Sequence, residues 1–196
     1  MRPFDTVRSR EIHNEIIRKS LHVLIALCPP LAAVNRLVTG LALLAGILIY
    51  SVMEGLRLSG VNVPLVSALT RMASRPREKD RFVPGPVTLA LGALLALALF
   101  PPPTAAIGIY ALAFGDGCAG LAGTLFGRRR LLFGKTVEGS FACFAAVFTA
   151  AWLASRSCGV SLVAAVTAAA VEALPLEHFD NIALPLAVGF VVWLFG

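Results

Sequence analysis

The stretch "YALAFGDGCAGLAGTLFG", residues 110–127, places an aspartate between two glycines inside a run of apolar and small residues. With residues 103–109 it forms a segment long enough to cross roughly 30 Å of hydrocarbon as a helix. A charged group near the centre of such a helix costs at least about 2.5 kcal/mol, so it is retained mainly where it has a function. The stretch therefore predicts a membrane helix with a polar site around Asp116.

The composition of the whole chain agrees with this prediction. Its 196 residues are 58% hydrophobic and 14% charged, with a mean hydropathy of +0.82, whereas soluble domains carry about 25% charged residues. We expect an all-α, polytopic membrane helix bundle that forms a single domain over residues 1–196. The net charge of +6 reports orientation in such a protein, so nucleic acid is not an expected partner.

Apolar runs between the charged residues predict about seven transmembrane helices. Several of these runs are shorter than the roughly 20 residues that span a bilayer, so hydropathy alone does not settle the number. The predicted segments are residues 20–36, 37–55, 83–100, 103–127, 137–155, 159–174 and 181–196.

The distribution of lysine and arginine predicts the orientation. Alternate connections place 15 of them on one side of the membrane, and only Arg36 and Arg156 on the other. Because Lys and Arg are retained in the cytoplasm, we expect a cytoplasmic N-terminus, with residues 1–19 as a cytoplasmic lead and residues 56–82 and 128–136 as cytoplasmic loops. The uncharged "FPPPT" at 100–104 suits a tight turn on the outer side.

Ionisable residues collect near the predicted cytoplasmic ends of the segments. Gly115 and Gly117 could break the helix around Asp116 and open a polar cavity there. Alternatively, Asp116 pairs with an arginine inside the bundle. Small residues at 119, 123 and 127 are spaced as a helix-packing ridge. The ionisable residues near the predicted cytoplasmic ends are His22, Glu54, Asp116, Glu138, Glu172 and Asp180.

The sequence "GKTVEGS", residues 134–140, contains a Gly-Lys-Thr but is not a P-loop. A P-loop needs a glycine five positions before the Gly-Lys pair, and Arg129 stands there. The stretch nevertheless offers a lysine, hydroxyls and backbone N–H groups at the start of a segment, which are the groups that phosphate oxygens require. The adjacent arginines, 128–130, are interpreted as topogenic or headgroup-binding.

Two further blocks carry candidate ligands. In "VEALPLEHFDNIALP", residues 171–185, oxygen ligands from Glu172, Asp180 and Asn181 would suit Mg²⁺. The alternative is a solvated loop in which Asp180 caps a helix, and this is our interpretation of residues 177 and 178. In "RKSLH", residues 18–22, Lys19 is either an interfacial anchor or a ligand, and His22 is either a general base or a buried imidazole.

Taken in order, these blocks resemble the signature blocks of the polyprenol kinase family, which includes dolichol kinase, phytol kinase and CTP-dependent diacylglycerol kinase. The resemblance spans roughly residues 18–190 and rests on "RKSLH", "MEGLR", "FGDGCAGLAGTLFG", "GKTVEGS" and "EALPLEHFDNIALP". It implies transfer of the γ-phosphoryl group of CTP, or in some members ATP, to the hydroxyl of a polyprenol, phytol or geranylgeraniol, or diacylglycerol, with Mg²⁺. The chain is shorter than dolichol kinases, so we expect a compact prokaryotic-type member in the cytoplasmic membrane, with a cytoplasmic active site.

The resemblance also implies roles for individual residues. The catalytic set is His22, Asp116, Lys135 and Asp180. The nucleotide-binding set is Lys19, Gly115, Lys135, Thr136, Glu138, Gly139, Ser140 and Asn181. The metal-binding set is Asp116, Glu172 and Asp180.

Two other functions remain open from the sequence. The first is a phosphatidate cytidylyltransferase-like enzyme, which would release pyrophosphate and form a CDP-lipid. The second is a small membrane transporter or scaffold. A transport path would also need polar residues near the midplane and outer half of the membrane, and apart from Arg36 and Arg156 there are almost none.

Overall fold

The structure is a computed structural model that describes residues 15–64, 67–68, 70, 81–177 and 179–195. This part of the chain is helical and contains no β-sheet, which confirms the predicted all-α class. Its long helices follow the predicted apolar segments. They are α1 (Glu15–Leu58), α2 (Gly85–Leu99), α3 (Thr104–Phe126), α4 (Val137–Ser155), α5 (Cys158–Glu172) and α6 (Asp180–Phe195).

Helix α1 contains the first two predicted segments and the end of the predicted lead, because the chain is already helical at Glu15. The rest of that lead lies outside the described residues. A 3₁₀ turn at Ile25–Leu27 and a single non-helical residue, Asn35 (φ −155°, ψ 103°), interrupt α1. The Asn35 side chain accepts a hydrogen bond from the Val38 N–H (3.0 Å), as an N-cap does. Asn35 therefore divides α1 into two helical parts.

The second part of α1 runs antiparallel to α2. Just after the kink, the Arg36 guanidinium donates hydrogen bonds to the carbonyl oxygens of Leu97 and Phe100, at the end of α2. Further along α1, the Tyr50 hydroxyl donates to the carbonyl oxygen of Val83, just before α2 begins (3.1 Å). The chain therefore reverses direction near Asn35, and both ends of α1 lie at the same end of the bundle.

The buried Glu54 carboxylate links the end of α1 to the segment that precedes α2. Glu54 is fully buried and accepts hydrogen bonds from Arg57 at 2.8 and 2.9 Å. The same carboxylate accepts from the Thr70 hydroxyl (2.9 Å) and from the Val83 N–H (3.2 Å). All hydrogen-bonding capacity of this buried charge is used within the fold, so we assign Glu54 a structural role.

Several of the helices fit a membrane protein. In the described part of the chain, α1, α3 and α4 are long and apolar enough to cross a bilayer, whereas α2, α5 and α6 have 15, 15 and 16 residues. Helix α1 also exposes a band of large apolar side chains, including Leu31, Val34, Leu37, Leu41 and Leu48. The number of seven spans and the cytoplasmic N-terminus stay predictions.

Helix α3 continues through the predicted break. Residues Ala111–Asp116 form a π-helical segment, and the α-helix resumes at Gly117. A π-helical turn accommodates an extra residue while its backbone groups remain paired along the helix, so no open backbone faces a cavity here. The sequence left open whether Gly115 and Gly117 break the helix, and the structure shows a continuous helix with its irregularity at Asp116.

The small-residue ridge of α3 packs against the start of α4, as predicted. A Cβ added at Gly123 would lie 3.0 Å from the Thr136 hydroxyl oxygen, and one at Gly139 would lie 2.9 Å from the Ala119 carbonyl oxygen. Real Cβ atoms do not approach a backbone oxygen as closely as the one at Gly139 would, and a Cβ at Gly123 would force the Thr136 side chain to shift, so the contact favours glycine at both positions. This packing holds the "GKTVEGS" stretch beside the Asp116 end of α3.

The predicted orientation can be tested with two cysteines. Cys158 is exposed at the start of α5, and position 129 is exposed in the loop between α3 and α4. In a variant without the other cysteines, we expect a membrane-impermeant thiol reagent added outside the cell to label Cys158. A cysteine introduced by Arg129→Cys, in a background that also lacks Cys158, should stay unlabelled until the cells are opened. Labelling of position 129 but not of Cys158 from outside the cell would contradict a cytoplasmic N-terminus.

Candidate functional site

The loop between α3 and α4 folds back on itself before α4 begins. The Leu131 N–H donates to the Lys135 carbonyl oxygen (2.7 Å), and the Val137 N–H donates to that of Arg129 (3.0 Å). A 3₁₀ turn at Leu132–Gly134 closes this hairpin, and Gly134 has φ 82°, a conformation that glycine adopts without steric cost. The turn returns the chain so that Lys135 lies next to the end of α5.

Two residues predicted to bind nucleotide stabilise this loop and the start of α4. The Thr136 hydroxyl oxygen is the N-cap of α4 and accepts a hydrogen bond from the Gly139 N–H (3.1 Å). The Glu138 carboxylate accepts from the Arg129 N–H at 3.3 and 3.4 Å. In the structure Thr136 and Glu138 shape the loop, and their contact with nucleotide stays a prediction.

Lys135, Ser140 and Glu172 form the first polar cluster of the site. Lys135 Nζ donates to Glu172 Oε1 (2.8 Å), and the Ser140 hydroxyl donates to Glu172 Oε2 (3.0 Å). Glu172 lies at the end of α5 and is only 7% exposed, whereas 28% of the Lys135 side chain is exposed. Glu172 thus holds the ammonium group in place while leaving it accessible to a ligand.

Lys19, His22 and Asp116 form the second polar cluster, between α1 and the π-helical segment of α3. Lys19 Nζ donates to Asp116 Oδ2 at 2.5 Å, and both side chains are at least 90% buried. Asp116 therefore has the intramolecular partner that we had considered, but this partner is a lysine and not an arginine. Since a buried ion pair contributes little net stability compared with apolar side chains, stability alone does not explain its presence.

His22 completes the second cluster. Its Nδ1 is buried and lies 2.9 Å from Asp116 Oδ2. Two unprotonated atoms would repel each other at this distance, so the contact suits the tautomer that carries its proton on Nδ1. Asp116 therefore orients the imidazole, and Nε2 is the ring nitrogen left for another partner.

Gly120 is a site residue that our interpretation of the sequence missed. A Cβ at this position would overlap Lys19 Cε and would lie 3.1 Å from Lys19 Nζ and 2.5 Å from Glu15 Oε1. The lysine side chain therefore crosses α3 at Gly120 on its way to Asp116. The sequence signal that could have identified Gly120 is its spacing from Asp116, because residues four apart lie on the same face of a helix.

We expect Gly120→Ala to lower activity about tenfold and to lower thermal stability. The added methyl group would displace the buried Lys19 side chain from Asp116, and this loss outweighs the roughly 1 kcal/mol by which alanine is better than glycine inside a helix. Activity assays and thermal unfolding of the same preparation would measure both effects. Gly46→Ala in α1 is the matched control, since a Cβ there meets nothing within 4 Å. Equal activity of the two variants would show that the path of Lys19 is unimportant.

Asp180 and Asn181 begin α6 and differ in their surroundings. Asn181 is buried, and its side-chain amide donates to the Thr88 hydroxyl oxygen (2.9 Å), which ties α6 to α2. Asp180 is partly exposed and accepts a hydrogen bond from the Asn181 N–H (2.8 Å). The charges of Asp116, Lys19 and Lys135 all act on its carboxylate. Asp180 therefore lies within electrostatic reach of both polar clusters.

The predicted metal ligands are not gathered into one metal site. Among the described residues, no group of three or more His, Cys, Asp or Glu side chains is placed to hold a metal ion. Asp116 and Glu172 each bind a lysine, and within the described chain only Asp180 lacks a cationic partner in contact. Mg²⁺ usually takes one or two carboxylates together with substrate phosphates. Asp180 is therefore suited to a Mg²⁺ that arrives bound to substrate phosphates. The metal-binding roles of Asp116, Glu172 and Asp180 stay predictions.

Gly115 faces the packed interior and not the polar clusters. A Cβ at Gly115 would lie 2.7 Å from Val147 Cγ2 and 3.2 Å from Cys143 Sγ, so its missing side chain lets α3 pack on α4. Gly139 is likewise explained by helix packing. Of the predicted site residues, the structure brings together Lys19, His22 and Asp116 in one cluster and Lys135, Ser140 and Glu172 in the other.

Comparisons with known proteins give two distant similarities. A phytol kinase of Synechocystis sp. is 35% identical over 119 residues, which cover 55% of this chain and 50% of the kinase. An uncharacterized protein of Methanocaldococcus jannaschii is 29% identical over 133 residues, which cover 66% of this chain and 67% of that protein. No family model and no solved structure matches the chain. The weak similarity to a phytol kinase suggests a lipid kinase and agrees with a membrane protein.

Proposed function

We propose that this protein is a membrane lipid-alcohol kinase that transfers the γ-phosphoryl group of CTP, or ATP, to the hydroxyl of a polyprenol, phytol or geranylgeraniol, or diacylglycerol. One observation carries the proposal. A buried carboxylate in contact with a histidine lies at the same end of the bundle as a partly exposed lysine held by a glutamate. These are the groups that phosphoryl transfer to an alcohol needs, and the similarity to a phytol kinase supports the assignment.

In the proposed reaction the lipid hydroxyl binds beside His22 and Asp116. His22 Nε2, the ring nitrogen that does not face Asp116, accepts the hydroxyl proton, and Asp116 stabilises the charge that the imidazole acquires. The alcohol oxygen forms a bond to the γ-phosphorus while the bond from that phosphorus to the β–γ bridging oxygen breaks. The products are a lipid monophosphate and the nucleoside diphosphate.

The lysines and hydroxyls would bind the donor. Lys135 is partly exposed and would pair with phosphate oxygens, and the Ser140 hydroxyl lies beside it on Glu172. A bound Mg²⁺ would neutralise charge on the phosphates, and Asp180 is the described carboxylate best placed to hold it. Since such catalysis is mainly positioning and charge stabilisation, fixed side chains at the end of a helix bundle can supply it.

A product assay tests the proposal. Purified protein is incubated with Mg²⁺, CTP or ATP labelled at the γ or the α position, and polyprenol, phytol, geranylgeraniol or diacylglycerol. We expect the γ label to enter a lipid monophosphate. Entry of the α label into a CDP-lipid, from phosphatidate added in parallel, would instead identify a cytidylyltransferase. No labelled lipid under any of these conditions would contradict both enzymatic functions.

Lys135→Ala should weaken nucleotide binding and turnover. A hydrogen bond to a charged group contributes about 1.5–3 kcal/mol, so we expect kcat/KM for the nucleotide to fall about 10- to 100-fold. Arg129→Ala is the matched control, because this exposed residue uses its backbone N–H, not its side chain, to bind Glu138. Steady-state kinetics at varied nucleotide concentration would measure both. Small and equal losses would exclude Lys135 from the donor site.

A further inference from the structure

A cavity of about 630 Å³ lies between α1, α2, α3 and α4, beyond the two polar clusters. Alanines from three helices form much of its wall, among them Ala33 of α1, Ala106 of α3 and Ala150 of α4. The stacked rings of Tyr110 and Phe114, with centroids 5.9 Å apart, also line it. The volume falls within the roughly 300–1,000 Å³ of typical ligand pockets.

The cavity starts about one helical turn from the Lys19, His22 and Asp116 cluster. Ala26 lines it and lies four residues after His22, and Phe114 is the lining residue of α3 nearest in sequence to Asp116. From Phe114 the lining continues along α3 to Ala106, a distance of about 12 Å at 1.5 Å per residue. One end of the cavity is therefore about one helical turn from the cluster along α1, and the other points toward the opposite end of the bundle.

The chemistry of the wall excludes a polar ligand along most of this length. Apart from Arg36 and Tyr110, the residues that line the cavity are alanine, proline, leucine and phenylalanine. The Arg36 guanidinium is already bound to the carbonyl oxygens of Leu97 and Phe100. Some lining residues, such as Pro30, Ala33 and Leu153, are also exposed, so the cavity reaches the surface of the bundle.

We infer that this cavity binds the hydrocarbon chain of the lipid acceptor and thereby presents the hydroxyl to His22 and Asp116. The inference rests on the proposed function for the identity of the occupant. An apolar pocket that ends about one helical turn from a buried acid and histidine matches a molecule with one polar end and a long apolar chain. Small alanine side chains leave the volume that such a chain requires, and larger side chains at these positions would fill it.

Photo-crosslinking tests the inference without any enzymatic activity. The full-length protein, in phosphatidylcholine vesicles, is irradiated with a hexadecanol probe that carries a diazirine midway along its chain, and the labelled peptides are mapped by mass spectrometry. We expect labelling of α3 and α4 peptides that line the cavity, and competition by unlabelled phytol. Ala150→Trp should reduce this labelling at least about fivefold, and Ala150→Leu should reduce it less. Ala145→Trp, exposed on the same helix and outside the cavity, should leave it unchanged.

Two results would overturn the inference. The first is labelling confined to exposed faces of the helices, without competition by phytol. The second is cavity labelling that phytol does not reduce, which would mean that a bilayer lipid fills the space. If the Ala150→Trp variant does not fold, the test uses Ala150→Leu, and labelling equal to that of the unsubstituted protein would then overturn the inference.

The same experiment separates this inference from the proposed function. If phytol reduces labelling of the cavity but the protein transfers no phosphate from any donor, the cavity is a lipid site and the proposed kinase function is wrong. If the protein transfers phosphate but its Ala150 variants change neither the labelling nor the KM for phytol, the kinase function stands and the cavity is not the lipid site.

Discussion

Asp116→Asn is expected to lower kcat by at least about a hundredfold, which corresponds to roughly 2.7 kcal/mol of transition-state stabilisation. Asparagine keeps the shape of the side chain but removes the charge that would stabilise protonated His22, which lies 2.9 Å away. The substitution also leaves the buried Lys19 ammonium group without its anionic partner. Breaking a buried ion pair in this way costs about 3–5 kcal/mol, so we expect a loss of thermal stability as well. Single-turnover kinetics and thermal unfolding would measure the two effects.

A double variant separates the catalytic role of Asp116 from its structural role. Lys19→Met with Asp116→Leu replaces the ion pair by apolar side chains of similar size, and such exchanges are often neutral or stabilising. We expect this variant to recover thermal stability and to remain inactive. Recovery of activity together with stability would mean that Asp116 serves only as the partner of Lys19.

Asp180→Asn is expected to lower kcat by a similar factor with little change in stability. The asparagine side-chain oxygen can still accept the hydrogen bond from the Asn181 N–H, so α6 should begin normally. The substitution removes a carboxylate that, unlike Asp116 and Glu172, has no lysine in contact with it in the described part of the chain. If Asp180 is a direct ligand, raising the Mg²⁺ concentration should partly restore turnover.

The matched control for Asp180→Asn is Glu177→Gln, which removes an exposed carboxylate three residues earlier. We expect this variant to retain nearly all activity. A double Asp116→Asn, Asp180→Asn variant should be little worse than either single variant, because residues that act as a unit have non-additive effects. Wild-type turnover in Asp180→Asn would leave Asp180 with only its hydrogen bond to the Asn181 N–H at the start of α6.

The sequence predicted the helices because their signals are local. Apolar runs of helical length marked α2 to α6 closely, and the Glu54–Arg57 ion pair, at 2.8 Å, joins two residues only three positions apart. The small-residue ridge on α3 was likewise readable from its four-residue spacing. In each case the interacting groups lie within two helical turns, or depend only on which side chains share a face.

Other features depended on contacts between residues far apart in the chain. The π-helical segment at Ala111–Asp116 and the passage of Lys19 over Gly120 both follow from how α1, α3 and α4 fit together. The orientation of Gly115 toward α4, and not toward a ligand, has the same origin. Helical periodicity states which residues share a face, but not which neighbouring helix that face meets.

The sequence by itself determined that this chain is helical and membrane-like, and that its ionisable residues collect toward one end. Only the tertiary structure decided which charges meet. Lys19 pairs with Asp116 across 97 positions and Lys135 with Glu172 across 37, and a cavity opens between helices α1, α2, α3 and α4. The physical reason is that burial requires every charge to find a partner, and which partner is within reach is set by the packing of whole helices.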